Sequence, residues 1–561
     1  MERGWGEVKQ RTMAESIVEK IKKASKGLRG TLKESLSDEH TGAIRESDQA
    51  LIKFHGMYMQ DDRDRRDERA EKKLERAFSY MIRLRLPGGL LNAQQWRALH
   101  EVSEEYSSPV IKITTRQTIQ LHGILKHNIK PTIKDFDTVK LDSIAACGDV
   151  NRNVIVSAHP RFSAIHEQIF LYAEKLSKLL LPKTNAYYEI WLDKTKISAE
   201  EEKDELYQDR YFPRKFKIAI AIPPYNDVDV FTNDVGIVAI IENNELIGFN
   251  VAAGGGMGMT HGNAATYPQL ATVLGFVKKD DLLKVVYEIA TTQRDFGNRE
   301  DRKLARLKYT IDRLGIDAFK KEVEARSGIS FQPEKKYELT IRHDEYGWHQ
   351  NHEGLFYYTA FVETGRVYDD ENVQFKKAFY EIARSGKAQF RFTCNQNIIV
   401  SDIKPGDKYE IEAILKKYGV IKTTEAASKV RRNAVACVAL NTCPLALAEA
   451  QRYLPSLIDK IEILLNKYRL NDEELSIRMT GCPNGCGRPY AAEIGFVGTA
   501  YGKYNVYLGA DALGKRLNKI YKENLDEAEI LSSLDKLFKD FSADKNANEP
   551  FGDYVLRKQI V

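Results

Sequence analysis

Ile111-Lys-Ile-Thr-Thr-Arg-Gln-Thr-Ile-Gln-Leu121 returns later in the chain, altered but legible, as Phe390-Arg-Phe-Thr-Cys-Asn-Gln-Asn-Ile-Ile-Val400. Thr114/Thr393, Gln117/Gln396 and Ile119/Ile398 are identical, and Lys112/Arg391 keep the charge, all at an offset of 279. Arg152-Asn153 recurs as Arg432-Asn433 at an offset of 280, each time ahead of an apolar stretch that reads as helical. Two matches at nearly one offset argue for a duplicated half-protein. Two fused halves favour a pocket at their interface.

The repeat unit alternates. Lys112, Thr114, Arg116, Thr118, Gln120 and His122 fall on one face of a strand predicted over 111–122. Such a face either meets solvent or walls a polar pocket, and the duplication shifts the reading toward the pocket. Upstream, Met81-Ile82-Arg83-Leu84-Arg85-Leu86 predicts a strand with both arginines on one face before Pro87-Gly88-Gly89.

The 561 residues leave room for about three or four domains, and 43% hydrophobic content can fill their cores. With 85 Lys+Arg against 80 Asp+Glu, the net charge of +5 is too small for a sequence-independent grip on nucleic acid. The amino-terminus lacks the apolar core of a secretion signal and no run of apolar residues is long enough to span a bilayer. A reducing compartment, the cytoplasm, is expected, where thiols stay free to bind metal. Residues up to about Tyr58 are polar and weakly periodic, which predicts a surface arm. The charge run at 61–76 places Asp61/Arg65, Asp62/Arg66 and Glu68/Lys72 four apart, a solvated-helix pattern.

Between the copies the chain is mixed α/β. Pro213 leads into Arg214-Lys215-Phe216-Lys217-Ile218, where Lys215 and Lys217 point the same way if extended. A strand over 247–253 runs into Gly254-Gly255-Gly256-Met257-Gly258, which lacks the dinucleotide spacing but could offer backbone N–H groups to an anion.

Four of the six cysteines lie in the last quarter: Cys437 and Cys443, then Cys482 and Cys486. Cys443-Pro444 reads as a helix start, whose dipole would lower the thiol pKa. Pro483-Asn484-Gly485 is turn chemistry that folds Cys482 and Cys486 toward one point. Five residues within the first pair lie outside the usual zinc habit of two to four. An iron–sulfur cluster tolerates that spacing and takes four thiolates, so it ranks first and zinc second. Cys147 and Cys394 have no sequence partners and are expected to be buried bystanders.

These motifs resemble the sulfite and nitrite reductases that carry sirohaem coupled to a four-iron cluster. The resemblance covers nearly the whole chain, including residues 54–64, 213–217, 291–303 and 551–554, and points to the assimilatory sulfite-reducing branch. It implies an α+β architecture: a duplicated sulfite/nitrite reductase fold with pseudo-twofold halves, ferredoxin-like half-domains and mixed α/β cofactor-binding domains. The regions expected are 1–77 as an arm and charged helix for partner docking, 78–145 plus 337–420 as the ferredoxin-like repeat domain, 146–336 as a sirohaem- and substrate-binding domain, and 421–561 as a cluster- and sirohaem-binding domain. It further implies that Cys437, Cys443, Cys482 and Cys486 hold a 4Fe-4S cluster, with Cys486 also bridging to the sirohaem iron. Arg83, Arg152, Lys215 and Lys217 match the cations around the substrate anion. Arg116, Gln120, His122, Lys308, Thr480 and Asn484 match sirohaem-lining positions, as do Gln60, Arg214 and Gln396.

The charges make the same case independently. A carboxylate-rich macrocycle and an oxyanion in one pocket need paired cations, each worth roughly 4 kcal/mol at about 4 Å before desolvation. Arginine supplies a fixed fork and lysine a movable proton. The expected reaction is six-electron reduction of sulfite to sulfide in sulfur assimilation and cysteine biosynthesis. No nicotinamide or flavin motif is present, so an NADPH-oxidising flavoprotein (alpha) subunit is the implied electron source. Nitrite reduction on the same scaffold is the near alternative, and a zinc-stabilised, non-catalytic binding protein the distant one. Cys394 stands where a small non-thiol residue is expected, and a thiol there could add oxidative lability.

Overall fold

The computed structural model describes residues 15–159, 164–194 and 204–561. The first repeat contributes β1 (Met57–Asp61), β2 (Phe78–Arg83), β3 (Leu90–Leu91), β4 (Ile111–Ile113) and β5 (Ile119–Ile124). A second group is β6 (Ile155–Val156), β7 (Ile218–Ala221), β8 (Val235–Glu242), β9 (Glu245–Ala253) and β10 (Thr272–Lys278). The second repeat supplies β11 (Gly347–Gln350), β12 (Phe356–Ala360), β13 (Arg366–Val367), β14 (Gln389–Phe392) and β15 (Ile398–Ile403). The last group is β16 (Ala434–Ala436), β17 (Ile477–Thr480), β18 (Ile494–Ala500), β19 (Lys503–Leu508) and β20 (Lys519–Leu525).

The two repeats form antiparallel sheets that exchange a strand. One runs β1-β2-β5-β4-β13 and the other β11-β12-β15-β14-β3. The exchanged strands are short: Arg366 of β13 stands opposite Lys112, and Leu90 of β3 opposite Arg391. Neither sheet is complete without a strand from the other half. The remaining sheets, β10-β9-β8-β7-β6 and β16-β17-β18-β19-β20, share one topology, three parallel strands followed by two antiparallel ones. The duplication therefore reaches beyond the matching sequence, and the architecture is the expected duplicated α+β fold.

Several local expectations change. The strand predicted over 111–122 is a hairpin: β4 ends at Ile113, Gln117 adopts φ 50°, and β5 returns so that Lys112 faces Gln120. Tertiary contacts select this turn, because the Gln117 amide donates to Val156 O (2.8 Å) and accepts from Val156 N (3.0 Å), acting as a neighbour to β6. Gln396 (φ 72°) repeats the motif, accepting from Ala436 N at 3.1 Å and donating to Ile113 O at 3.2 Å. The stretches after Arg152-Asn153 and Arg432-Asn433 are parallel strands β6 and β16, not helices. β2 stops at Arg83, so Arg85 departs from its face and pairs with Asp142.

The expected surface arm contributes to the core at many positions after Ser16. Leu28, Leu32, Leu51, Ile52 and Phe54 are buried in the main hydrophobic cluster. On the helix Ile17–Ala24, Glu19 takes an ion pair from Arg299 and Lys22 donates to Phe212 O at 2.8 Å. Residues 1–14 lie outside the described part. In the charge run the helix is confined to Arg66–Glu71, since Asp61 belongs to β1. Glu68–Lys72 forms as expected (2.7 Å), whereas Arg66 pairs with Asp61 (2.6 Å) rather than Asp62.

Candidate active site and metal centre

Parallel pairing of β16 and β17 brings the cysteine segments together. Cys437 follows β16, and Cys482 and Cys486 follow β17; Ala436 stands opposite Met479. Cys437 N donates to Met479 O at 3.2 Å, and Gly481 N reaches Cys437 Sγ at 3.4 Å. The loop carrying Cys443 folds back onto the same point, with the N–H groups of Leu447 and Ala448 donating to Gly481 O. Burial raises the Cys437 thiol pKa, and Cys486, Cys482 and Cys443 raise it further, so the four stand within electrostatic reach. Asn484 Nδ2 donates to Cys482 Sγ at 3.3 Å.

Cys443 does not open a helix. It lies in a turn, and the next helix starts at Leu454, with a proline in its first turn. Without a dipole to stabilise a thiolate, burial pushes the Cys443 thiol up to about 11. A bound cation would deprotonate such thiols outright. Among the described residues no three of these sulfurs lie within 4.8 Å of one another. A zinc ion at about 2.3 Å from each sulfur would draw them closer than that. An all-cysteine set suits the iron–sulfur cluster that the sequence ranks first.

Opposite Cys486 stand the cations. Arg83 ends β2, Arg152 precedes β6, and the extended run Arg214–Lys217 leads into β7. Arg83 Nη1 lies 2.7 Å from Cys147 Sγ, and Arg152 Nε donates to Ala146 O at 2.9 Å. The Lys217 backbone N–H donates to Asp234 Oδ2 at 3.0 Å, and Arg306 locks that carboxylate with bonds of 3.0 and 2.7 Å. Among the described residues neither Lys215 Nζ nor Lys217 Nζ has a hydrogen-bond acceptor, so both ammonium ends are free for an anion. Burial, then Arg214, lowers the Lys215 pKa to about 7. Burial, then Lys215 and Arg116, takes Lys217 well below its ordinary value. Cys486 acts electrostatically on both lysines and on Arg83, which ties the cationic wall to the cysteine centre.

The other predicted lining residues fall into two groups. Gln60, Gln120 and His122 form a chain beside Arg83: His122 Nδ1 lies 2.9 Å from Gln60 Oε1, and the Gln120 amide oxygen, correctly oriented, accepts from Arg83 Nε at 3.0 Å. Burial, then Arg83 and Lys112, drives the His122 pKa down to about 3, so the imidazole is neutral. Arg116 donates to Asn233 Oδ1 at 2.8 Å, and its Nε is buried without a partner, a donor aimed at a missing acceptor. Arg214 lies 4.0 Å from Asp149, and burial and neighbouring Arg302 lower its pKa to about 10. Lys308, Thr480 and Gln396 serve the framework: Lys308 caps the carbonyls of Gly256 and Gly258 at 3.0 Å, Thr480 Oγ1 donates to Cys482 O at 2.9 Å, and Gln396 ties β4 to β16.

The glycine-rich loop likewise braces the cysteine turn. Met259 N donates to Pro483 O at 3.0 Å, and a Cβ on Gly485 (φ 65°) would meet Met257 O at 2.7 Å. The N–H groups of Gly254 and Gly256 are taken by Asp234 O and Gln269 O, so they do not form the anion nest the sequence suggested. Cys147 and Cys394 are both buried. Burial pushes the Cys394 thiol to about 12, which keeps it protonated and removes the expected lability. Sequence reasoning missed Arg306, Lys112 and the buried cluster of Arg342, Arg478 and Arg488 around Asp229. Lys112, in the repeat, and Arg488, next to the second cysteine pair, carried sequence signals.

Residues 73–139 and 349–418 match the nitrite/sulfite reductase ferredoxin-like half domain, and 172–331 match the nitrite and sulphite reductase 4Fe-4S domain. A sulfite reductase (NADPH) hemoprotein beta-component of Leptospira biflexa is 63% identical over 551 residues, covering 98% of this chain and 99% of its own. The chain belongs to the nitrite and sulfite reductase family. Within this family, the Bacillus subtilis sulfite reductase (NADPH) hemoprotein beta-component is 49% identical over 548 residues, covering 97% of this chain and 96% of its own. The solved Mycobacterium tuberculosis NirA protein shares the fold, with a TM-score of 0.77 at 24% identity over 96% of this chain and 95% of its own. The family's 4Fe-4S domain description falls on 172–331, which contain no cysteine. The four cysteines sit instead in the topologically equivalent region built on β16–β20.

Proposed function

We propose that this chain reduces sulfite to sulfide by six electrons, using one sirohaem and one 4Fe-4S cluster; Cys437, Cys443, Cys482 and Cys486 would hold the cluster, and Cys486 would also serve the sirohaem. When bound, the two groups would supply the storage and delivery of the electrons. The observation that carries the reading is the meeting of an all-cysteine centre with two unpartnered lysines beside Cys486. Arg83 and Arg152 grip the oxyanion, and Lys215 and Lys217 donate the protons that turn cleaved oxygens into water. A lysine pulled toward neutrality by burial and like charges gives up its proton readily, which suits this role. Arg116, Arg214, Gln60, Gln120, His122 and Asn484 line the macrocycle, while Lys308, Thr480 and Gln396 hold its walls.

Electrons come from a partner, for which an NADPH-oxidising flavoprotein subunit is the choice in line with the names of the relatives. Among the described residues no helix is long and apolar enough to cross a membrane, and we place the enzyme in the cytoplasm, whose reducing poise keeps the thiols available. Partner docking is assigned to the exposed surface of region 1–77, since Leu51 and Phe54 within it belong to the core. The regions 78–145 plus 337–420, 146–336 and 421–561 remain the working division of the chain.

The test is Lys217→Met, assayed with an artificial reductant after sirohaem and iron contents are matched to wild type. Sulfite turnover should fall about a hundredfold or more. Full turnover with both cofactors intact would remove Lys217 from the proton path.

A further inference from the structure

Lys112 is a buried cation that the proposed reaction leaves without a task. It is 2% exposed on β4, and among the described residues its ammonium donates only to the carbonyl of Thr364. Among the described residues no carboxylate lies within salt-bridge distance of it. Its neighbour across the strand pair is Arg366, another cation. Burying an ammonium without a counter-charge is costly, and a negative group beside it in the working protein would offset that cost.

The surroundings show where that charge sits. Thr364, which accepts from Lys112, donates through Oγ1 to Gln451 O at 3.2 Å, and Gln451 N donates to Cys437 O at 3.1 Å. Next to Lys112, Ile113 O accepts from Gln396, whose other amide end accepts from Ala436 N, beside Cys437. Two short hydrogen-bonded paths thus pin Lys112 against the segment carrying Cys437. Burial lowers its pKa to about 7 while Cys437 acts in the opposite direction, in keeping with those two paths.

The pseudo-twofold supplies an internal comparison. Arg391 is the counterpart of Lys112 in the second repeat and faces the cysteine-free domain copy, stacked on Phe170. It has a carboxylate, Asp402, at 4.0 Å. The cation turned toward the cysteines lacks what its twin possesses.

We propose that Lys112 is a fixed positive charge that sets the reduction potential of the cluster held by Cys437, Cys443, Cys482 and Cys486. The inference rests on the cluster assignment made above. A positive charge in a low-dielectric setting favours the more negative, reduced cluster, and so raises its potential. Lys112 touches neither substrate nor reacting atoms, and acts as a positioning charge.

Redox titration of the purified holoenzyme, followed by the electron paramagnetic resonance signal of the reduced cluster, tests this. Lys112→Met should make reduction at least tenfold less favourable, a 59 mV negative shift for one electron. Lys112→Arg should restore most of the wild-type value, and Arg391→Met should leave it unchanged. An unshifted potential in Lys112→Met, or equal shifts in the Met and Arg variants, would overturn the proposal. Should Lys112→Met not assemble its cluster, Lys112→Gln is titrated instead under the same criteria. Wild-type protein without iron and labile sulfide would fail the cluster assignment itself, and the charge's role with it.

Discussion

His55 is held as one neutral tautomer. Trp191 Nε1 donates to its Nδ1 at 3.1 Å, so the proton sits on Nε2, which donates to Leu28 O at 3.0 Å. Burial lowers its pKa from 6.5 to about 4. A base that resists protonation only when folded contributes stability in full above the unfolded value. That contribution is lost as pH falls from about 6.5 toward 4. Between pH 7 and pH 5 this one residue should cost the fold about 2 kcal/mol. His55→Gln should start less stable at pH 7 but show a flatter loss on acidification, read by urea denaturation at both pH values. An unchanged slope in the variant would mean that His55 is not the group taking up the proton.

At the scale of elements, the strand exchange depends on two glycine turns. Gly89 (φ 75°) and Gly365 (φ 71°) lead into β3 and β13, and a Cβ on Gly365 would meet Ile113 O at 2.4 Å and Gln396 Cβ at 2.9 Å. Gly365→Ala should therefore destabilise by about 3 kcal/mol, from left-handed strain and the clash with β4 together. Gly406→Ala, in open space without a positive φ, should be neutral or slightly stabilising. Equal midpoints of chemical denaturation for the two variants would contradict this account of the exchange. The duplication behind the exchange was legible in the sequence because Thr114/Thr393 and Gln117/Gln396 survive in both copies. The hairpin was not, because the turn at Gln117 is chosen by its bonds to Val156, a contact that alternation cannot encode. The amino-terminal stretch misled for a related reason: apolar residues such as Leu28, Leu51 and Phe54 are interspersed with polar ones yet reach the core. Proline was a fair cue at Cys443 but marked a turn, with the helix deferred to Leu454.

Across the whole molecule, the four sheets converge on a point where the two domain copies touch. Asp229 and Arg488 occupy equivalent places, each in left-handed conformation (φ 48° and 57°) just before a short 3-10 turn that feeds β8 or β18. The sequence match had faded there, so this equivalence emerges only from topology. The two residues pair directly at 2.6 Å, and Arg342 and Arg478 join the same carboxylate at 2.6 Å each. Arg488 also donates to Thr115 O and Cys394 O, and Arg342 to Ala491 O, so a single buried aspartate organises both repeats and both α/β copies. Burial opposes its charge, yet Arg342, Arg478 and Arg488 hold the carboxyl far below its ordinary range. Asp229→Ala leaves three buried guanidinium groups without their anion and should cost about 3–5 kcal/mol. The sign of its pH dependence separates this loss from that of His55. A carboxylate with a depressed folded pKa stabilises fully above its unfolded value near 3.9 and loses that effect only below it. The Asp229→Ala deficit should therefore be the same at pH 7 and pH 5, whereas the His55 contribution falls across that interval. A deficit under about 1 kcal/mol would show that the arginines find other partners, and that the pseudo-twofold axis is held by packing rather than by charge.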